Sequence, residues 1–598
     1  MQKNSKPITA VILIFLAFVL FYHLFWAKFG LTFSDEGHFL YSAQLINEGE
    51  LPYRDYWIEQ TPGSFYLQSL IFKITGASIM AGRLSMVALA IIICLLMFII
   101  SRKLAPFPYS LIPAVIYCFW GISQINIPWY SHYALFFCLL GAYFLSNYIN
   151  RKKLIWAFYS GLAIGMCVLM KQNLGAACFL GTNAFLLLEK IICARTNQLN
   201  TWSSLLKKIF TLSVGAAIPF FVMVGIYYKY NALHNLFYHV FGVAWISTKT
   251  RLSLKLFPDI ELPSITILTS YLWLVASLYF LLTKRLRRFS ITAVIGIIII
   301  GLTVAFTPKL QQWHNVRHYF AFGVISAVFN IPAICLLTGL FSFISWFKKL
   351  KPLEGNANVI FLFVVIYSSC YFLTSLILGR DYIHIVEHIA PCFLPLAFIA
   401  FKSDISLQKK FGYKNAVFFK ICLIAIPILL VAIRGAFASA NNEIQYVESL
   451  PKYKMDYKIE KVPRAKGIYI EEEKGRQVEA LINYLQAVTA KDDYIFLFSS
   501  GQMIYFLAER RHPYIQTFFH DEIFYKENQP VVIEKIKEKN VRYVVIWNEK
   551  TNLSTWAQDE DCKYRLISKF LLDNYRTLKD FGRFSVWEKK NPFFSKAQ

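Results

Sequence analysis

The chain has 598 residues, 56% hydrophobic, 17% aromatic and only 16% charged, with a net charge of +26. Soluble domains run at about 45–50% apolar and about 25% charged, so these proportions exclude a disordered chain, a coiled coil and a small disulfide scaffold. The charge is uneven: residues 1–440 hold 36 basic and 13 acidic residues and the last 158 hold 26 and 23, which makes a membrane surface, not nucleic acid, the expected partner of the basic excess.

A helix needs about 20 largely apolar residues to cross a bilayer. Thirteen candidate runs lie near 8–29, 79–101, 107–122, 129–149, 154–170, 174–193, 209–228, 265–283, 289–306, 320–343, 357–378, 388–401 and 416–434, the third and twelfth of them short. The expected fold class is an α-helical polytopic membrane protein of about 13 transmembrane helices over residues 1–440. Basic clusters in short loops mark the cytoplasmic side. With the N-terminus (Lys3, Lys6) inside, Arg102-Lys103, Arg151-Lys152-Lys153, Lys207-Lys208, the 284–288 cluster, Lys348-Lys349 and Lys409-Lys410 all fall inside. An odd number of spans then places residues 441–598 outside. The first run is read as an uncleaved span, since it is longer than a signal-peptide core and no small-x-small site follows.

Ten of the eleven cysteines lie within predicted spans, with no pairing framework or metal-ligand spacing. No Walker loop, GxSxG elbow or HExxH motif occurs, which counts against an ATPase, a hydrolase of that kind or a zincin. Residues 441–598 read differently. A helical pattern over 476–488 precedes a strand at 493–498, and helical patterns at 501–509 and 531–539 follow. Then come a strand at 541–547, a helix at 564–574 and a strand at 584–588. The alternation predicts a soluble extracytoplasmic α/β domain. It has no Gly-rich phosphate loop, so an accessory or acceptor-docking role is expected.

Acidic residues carry most of the chemical information. Six of the 13 in the first 440 positions fall between 35 and 59: Asp35, Glu36, Glu48, Glu50, Asp55 and Glu59. On the assigned topology all six are extracytoplasmic, in a first loop at about 30–78. Glu48 and Glu50 are what any hydrophilic loop contains. Asp35-Glu36 lie close to the interface after the first span, where a carboxylate is costly unless solvated, paired or used. Apolar residues at 40, 41, 45 and 46 predict a short interfacial helix ended by Gly49 and Pro52, with a second over 64–74.

The ordered set Asp35-Glu36, Gly49…Pro52-Tyr53-Arg54-Asp55, Pro62-Gly63-Ser64-Phe65-Tyr66 and Gly76…Ala81-Gly82-Arg83 resembles the C-type, polyprenyl-phosphate-dependent glycosyltransferases. It is most similar to the bacterial relatives of the protein O-mannosyltransferases and lipid A aminoarabinose transferases. Arg380-Asp381…His384…His388…Pro391…Pro395 resembles a later element of the same families. The resemblance implies a cell-membrane hexosyl- or pentosyltransferase of cell-envelope glycan synthesis, in the bacterial cytoplasmic membrane. Its donor would be a polyprenyl-phosphate sugar and its acceptor an extracytoplasmic glycan, lipid or protein. It also implies Asp35 as the catalytic carboxylate beside Glu36: a general base takes the acceptor's hydroxyl proton, and one displacement inverts the anomeric centre. The lipid phosphate is the leaving group, so no Rossmann domain or cofactor is required.

Candidates for the lipid phosphate and sugar are Arg54, Asp55, Glu59, Arg83, Arg317, Arg380, His384 and His388; Lys171 and the 249–255 bases are further cations. Arg54 and Arg83 have pairing with Asp55 or Glu59 as an alternative role. His384, Glu387 and His388 could bind a divalent metal, but polar residues at helical spacing at a span entrance are commoner than a metal site, and no metal is assigned. Two positions depart from the family pattern. Gln60-Thr61-Pro62 stands where many relatives carry Lys before Pro, and Asn126–His132 lacks a second acidic residue. The competing readings are a transporter or flippase, an O-antigen ligase or polymerase-like enzyme using diphosphate-linked donors, and a non-catalytic scaffold.

Overall fold

The computed structural model describes residues 5–195, 202–243, 356–378, 382–420, 425–441, 451–498, 501–515 and 528–590. The membrane part runs α1 (Ser5–Ala27), α2 (Asp35–Asn47), α3 (Gly63–Thr75), α4 (Ile79–Ser101), α5 (Ile112–Trp120), α6 (Tyr130–Arg151), α7 (Leu154–Met170), α8 (Gln172–Arg195), α9 (Trp202–Lys229) and α10 (Leu233–Phe237). It continues with α11 (Asn356–Leu378), α12 (Tyr382–Ile389), α13 (Leu394–Lys420) and α14 (Ile426–Asn441).

Among the described residues, seven helices are long and apolar enough to cross a membrane. They cover the predicted runs at 8–29, 79–101, 129–149, 174–193, 209–228, 357–378 and 388–401, so the chain is a multi-pass membrane protein. The runs at 107–122 and 154–170 form shorter apolar helices; a third, Val431–Ala440, overlaps only the end of the predicted run at 416–434. The runs at 265–283, 289–306 and 320–343 lie outside the described residues. Short α7 is wedged between α6 and α9. Gly161 and Gly165, one turn apart, face the backbone of α9, where a Cβ on Gly161 would sit 2.0 Å from the Leu212 carbonyl oxygen. Gly215 returns the contact against the Phe158 carbonyl, a small-residue interface that lets the two backbones approach without an obstructing side chain.

After residue 450 the chain forms β1 (Tyr457–Lys458), β2 (Tyr469–Ile470), α15 (Glu472–Val488), β3 (Ile495–Phe498), α16 (Met503–Ala508) and α17 (Gln529–Glu538). Then follow β4 (Tyr543–Trp547), α18 (Leu553–Gln558), α19 (Arg565–Asn574), β5 (Tyr575–Asp580) and β6 (Phe584–Lys589). The larger sheet has the order β3-β4-β6-β5, with β3 parallel to β4 and the other pairs antiparallel. Side chains alternate across it, as the two-residue period of a strand requires. Phe496, Phe498, Val544 and Ile546 join Val532, Ile536, Ile567 and Leu571 of α17 and α19 in one core. Ile495, Leu497, Tyr543, Val545 and Trp547 belong instead to a core continuous with the membrane helices and the first loop. The sheet therefore shares its inner face with the segment that carries Asp35.

Candidate active site

The loop between α1 and α4 is folded throughout. Asp35 opens α2 and is half-buried, with Glu36 next to it in the first turn. Two acidic residues in a first turn suit the positive end of the helix dipole, a contribution of about 0.3–1 kcal/mol each. Glu36 is fully buried, and Arg83, near the start of α4, meets it in a bidentate pair. Arg83 Nε donates to Glu36 Oε1 at 2.7 Å and Nη2 to Oε2 at 2.7 Å. The same guanidinium donates to the carbonyls of Ala27 (3.0 Å), Phe29 (3.0 Å) and Gly30 (2.9 Å). These bonds use all five N–H groups of an arginine. Arg83, 1% exposed, therefore has none left for a phosphate, and it ties the end of α1 to the starts of α2 and α4.

Lys452 is buried close by, its Nζ donating to the Ser123 carbonyl at 3.4 Å and lying 5.6 Å from the centre of the Trp26 ring. Burial, helped by the charge of Arg83, pushes this ammonium down to about 7 from 10.5. A lysine whose folded pKa is depressed loses stability as pH falls from 10.5 towards 7, because the unfolded chain takes up the proton first. Lys452→Met is expected to melt several degrees above the parent at pH 7, with a smaller gap at pH 9. Melting curves of the purified protein at both pH values check this.

The rest of the loop is a set of turns held by its own polar groups. Asp55 accepts from Arg54 Nε (2.8 Å), Arg54 Nη2 (2.7 Å) and the Leu51 N–H (2.7 Å), and so closes the turn after α2. Burial pushes its carboxyl up, but Arg54 and the Leu51 amide outweigh this and leave it below the usual range. The expected alternative of Arg54 pairing with Asp55 is what the structure shows. Tyr53 stacks on His239 with ring centres 5.4 Å apart, and its hydroxyl donates to the Gln60 carbonyl at 2.5 Å. Glu59 is half-buried and accepts from Gln60 Nε2 at 3.3 Å. His38, one turn after Asp35, lies near Trp57 and Phe65, and burial lowers its imidazole to about 4, leaving it neutral at pH 7.

Thr61 seats the loop on the membrane helices. Its N–H donates to Gln172 Oε1 at 3.1 Å and its hydroxyl to the Val168 carbonyl at 2.6 Å, on either side of the break between α7 and α8. The residue at that break is Lys171, in extended conformation with φ −156 and ψ 109. Its Nζ donates to Ser131 Oγ (2.8 Å) and lies 3.3 Å from Glu387 Oε2 and 3.4 Å from His388 Nε2. Ser131 also donates to Glu387 Oε2 at 2.7 Å, and His388 Nδ1 is 3.3 Å from Thr374 Oγ1. All five side chains are buried.

Of the residues expected at the site, the structure thus joins Glu36 to Arg83, Arg54 to Asp55, and His388 to Lys171 and Glu387. His384 falls in α12, its side chain outside the described residues, and Arg317 and Arg380 also lie outside them. No group of three or more His, Cys, Asp or Glu suited to a metal ion occurs among the described residues.

No family model and no curated protein matches the chain. Among solved structures it is similar to ArnT from Cupriavidus metallidurans in the apo state, with 12% identity, 98% of each chain covered and a TM-score of 0.49. ArnT of the same organism bound to undecaprenyl phosphate gives 12% identity, 98% and 99% coverage and a TM-score of 0.48. The archaeal oligosaccharyltransferase AglB from Archaeoglobus fulgidus, in complex with an inhibitory peptide and a dolichol-phosphate, gives 13%, 97% and 74%, and 0.48. Likenesses this distant assign neither residue roles nor a substrate.

Proposed function

We propose that the chain transfers a sugar from a polyprenyl-phosphate carrier to an extracytoplasmic acceptor, with Asp35 as general base. The observation that supports this best is the division of labour in the Asp35-Glu36 pair. Glu36 is bound in the bidentate pair with Arg83, and Asp35 is half-buried at the start of α2, next to that anchored position. In the reaction the acceptor hydroxyl gives its proton to the Asp35 carboxylate while its oxygen bonds to the anomeric carbon. The bond from that carbon to the phosphate oxygen breaks, its electron pair leaves with the lipid phosphate, and the configuration inverts.

The departing phosphate needs a cation in the low-dielectric site. Relatives that place Lys before the loop proline have no counterpart at Thr61, but Thr61 is bonded to Gln172, the neighbour of Lys171. Lys171 supplies the charge from the helix break instead. Lys171→Gln is expected to reduce the rise in melting temperature that undecaprenyl phosphate gives the purified protein. Glu387→Gln, which releases the ammonium from its carboxylate, is expected to increase it. Equal effects in one direction would count against this role.

A transporter with a polar pathway needs such groups at mid-membrane. Here Lys171 lies between two helices, Ser131 is the second residue of α6, and Glu387 and His388 end α12. The comparison that tests the function is of lipid-linked sugars and surface glycans in a deletion strain and its parent. A polyprenyl monophosphate sugar that accumulates while a glycan loses one residue is the expected result. Unchanged lipid pools would sink the proposal.

A further inference from the structure

We propose, resting on Asp35 as the base, that the sheet after residue 450 is a working part of the catalytic centre, with Phe33, Gly37 and Trp547 as positioning residues for Asp35. The contacts stand symmetrically about that residue, at two positions before it and two after it.

Phe33 is fully buried and sits in a socket at the end of the two inner strands, β4 and β6. Its ring lies 5.5 Å from Trp547, the last residue of β4, and 5.3 Å from Phe584, the first of β6. Those two rings are 5.3 Å from each other, and the Arg583 guanidinium lies 5.7 Å from the Phe33 ring centre. The Phe33 carbonyl accepts from the Met503 N–H at 2.9 Å, at the start of α16. On the other side of Asp35, Gly37 meets the same residue: an added Cβ would fall 2.2 Å from Met503 N and 2.6 Å from its Cα. No side chain other than hydrogen fits there. The Gly30 N–H, donating to Tyr469 O at 2.9 Å, and the Tyr469 N–H, donating to Lys28 O at 2.7 Å, extend the seam back to α1.

The Arg83–Glu36 pair fixes α2 relative to the spans. The socket holds the chain before Asp35, and the Gly37 contact seats the chain after it on Met503. A general base must come within about 2.6–3.2 Å of the proton it removes, and an error of about 1 Å can cost about 10²-fold. The carrier phosphate is placed by the α7–α8 break, on a different element. Loosening the socket is therefore expected to lower turnover and spare donor binding.

The test uses the purified full-length chain and, as donor, the polyprenyl-phosphate sugar that accumulates in the deletion strain. Trp547→Ala and Gly37→Ala are expected to lower kcat per folded molecule by about tenfold or more, with donor KM within about twofold. Trp547→Phe, which keeps an aromatic plug, should recover most of the loss. A second readout needs no donor: carbodiimide-driven coupling of glycine ethyl ester to Asp35, measured by peptide mass spectrometry relative to exposed Glu534. That ratio is expected to change about threefold or more in Trp547→Ala and to return in Trp547→Phe, as a displaced carboxylate requires. An unchanged ratio, or kcat per folded molecule within about twofold of the parent, overturns the proposal. If Asp35→Asn still transfers sugar from the same donor, the function fails instead, while the labelling ratio still decides whether the sheet positions Asp35.

Discussion

Asp35→Asn is expected to lower sugar transfer by about 10²–10⁴-fold, the range a general base contributes, without lowering the amount of inserted protein. The two effects separate because of where Asp35 sits. It is half-buried at the first position of α2, where its charge contributes a helix-end interaction worth about 0.3–1 kcal/mol. The backbone around it is held by other residues: Glu36 through Arg83, Phe33 through its carbonyl and ring, and Gly37 against Met503. Asparagine fills the same volume but cannot take the acceptor's proton. Transfer measured with the accumulated lipid-linked sugar, normalised to folded protein, checks this. A transporter of the same fold would keep its function in this variant, so full activity would favour that reading.

Arg83→Met is expected to do the opposite and remove the protein before its activity can be read. It leaves the Glu36 carboxylate buried without its cation and strips donors from the Ala27, Phe29 and Gly30 carbonyls. Breaking one side of a buried ion pair costs about 3–5 kcal/mol, a large share of the ~5–15 kcal/mol that holds most domains folded. The double variant Glu36→Met/Arg83→Met should be more stable than Arg83→Met alone, because the isolated charge is gone and only the carbonyl bonds remain lost. Melting temperature and the monodisperse fraction in size-exclusion chromatography measure both. A single variant as stable as the parent would show that the pair is not structural.

The reach of the sequence differed between these features for physical reasons. Long apolar runs announce themselves because bilayer thickness sets their length, and the buried strands at 495–498 and 543–547 are short apolar runs of the same legible kind. Strand β5 escaped because Tyr575-Arg-Thr-Leu-Lys-Asp580 is an edge strand with one buried side chain, and polar edge strands carry no apolar signature. Asp35-Glu36 stood out by position. That the two have different environments did not, since Arg83 lies 47 residues away and Arg54 had offered Asp55 a partner next door. Lys171 is visible as an ionisable residue near the outer end of a span, but its carboxylate partner is 216 residues distant. The socket for Phe33 is less legible still. An aromatic two residues before an acid has no local pattern that points to a tryptophan more than 500 positions on.

The contacts around Asp35 also impose an order of assembly. Arg83 and Glu36 both belong to the first 101 residues, whereas Met503 and Trp547 are translated long afterwards. At about 5–20 residues per second, the 420 positions between Arg83 and Met503 take roughly 20–80 s to make. Throughout that interval the contacts of Phe33 and Gly37 with Met503 and Trp547 cannot yet form. A chain that stops before Met503 would therefore present Asp35 without the Phe33 and Gly37 contacts that we propose position it.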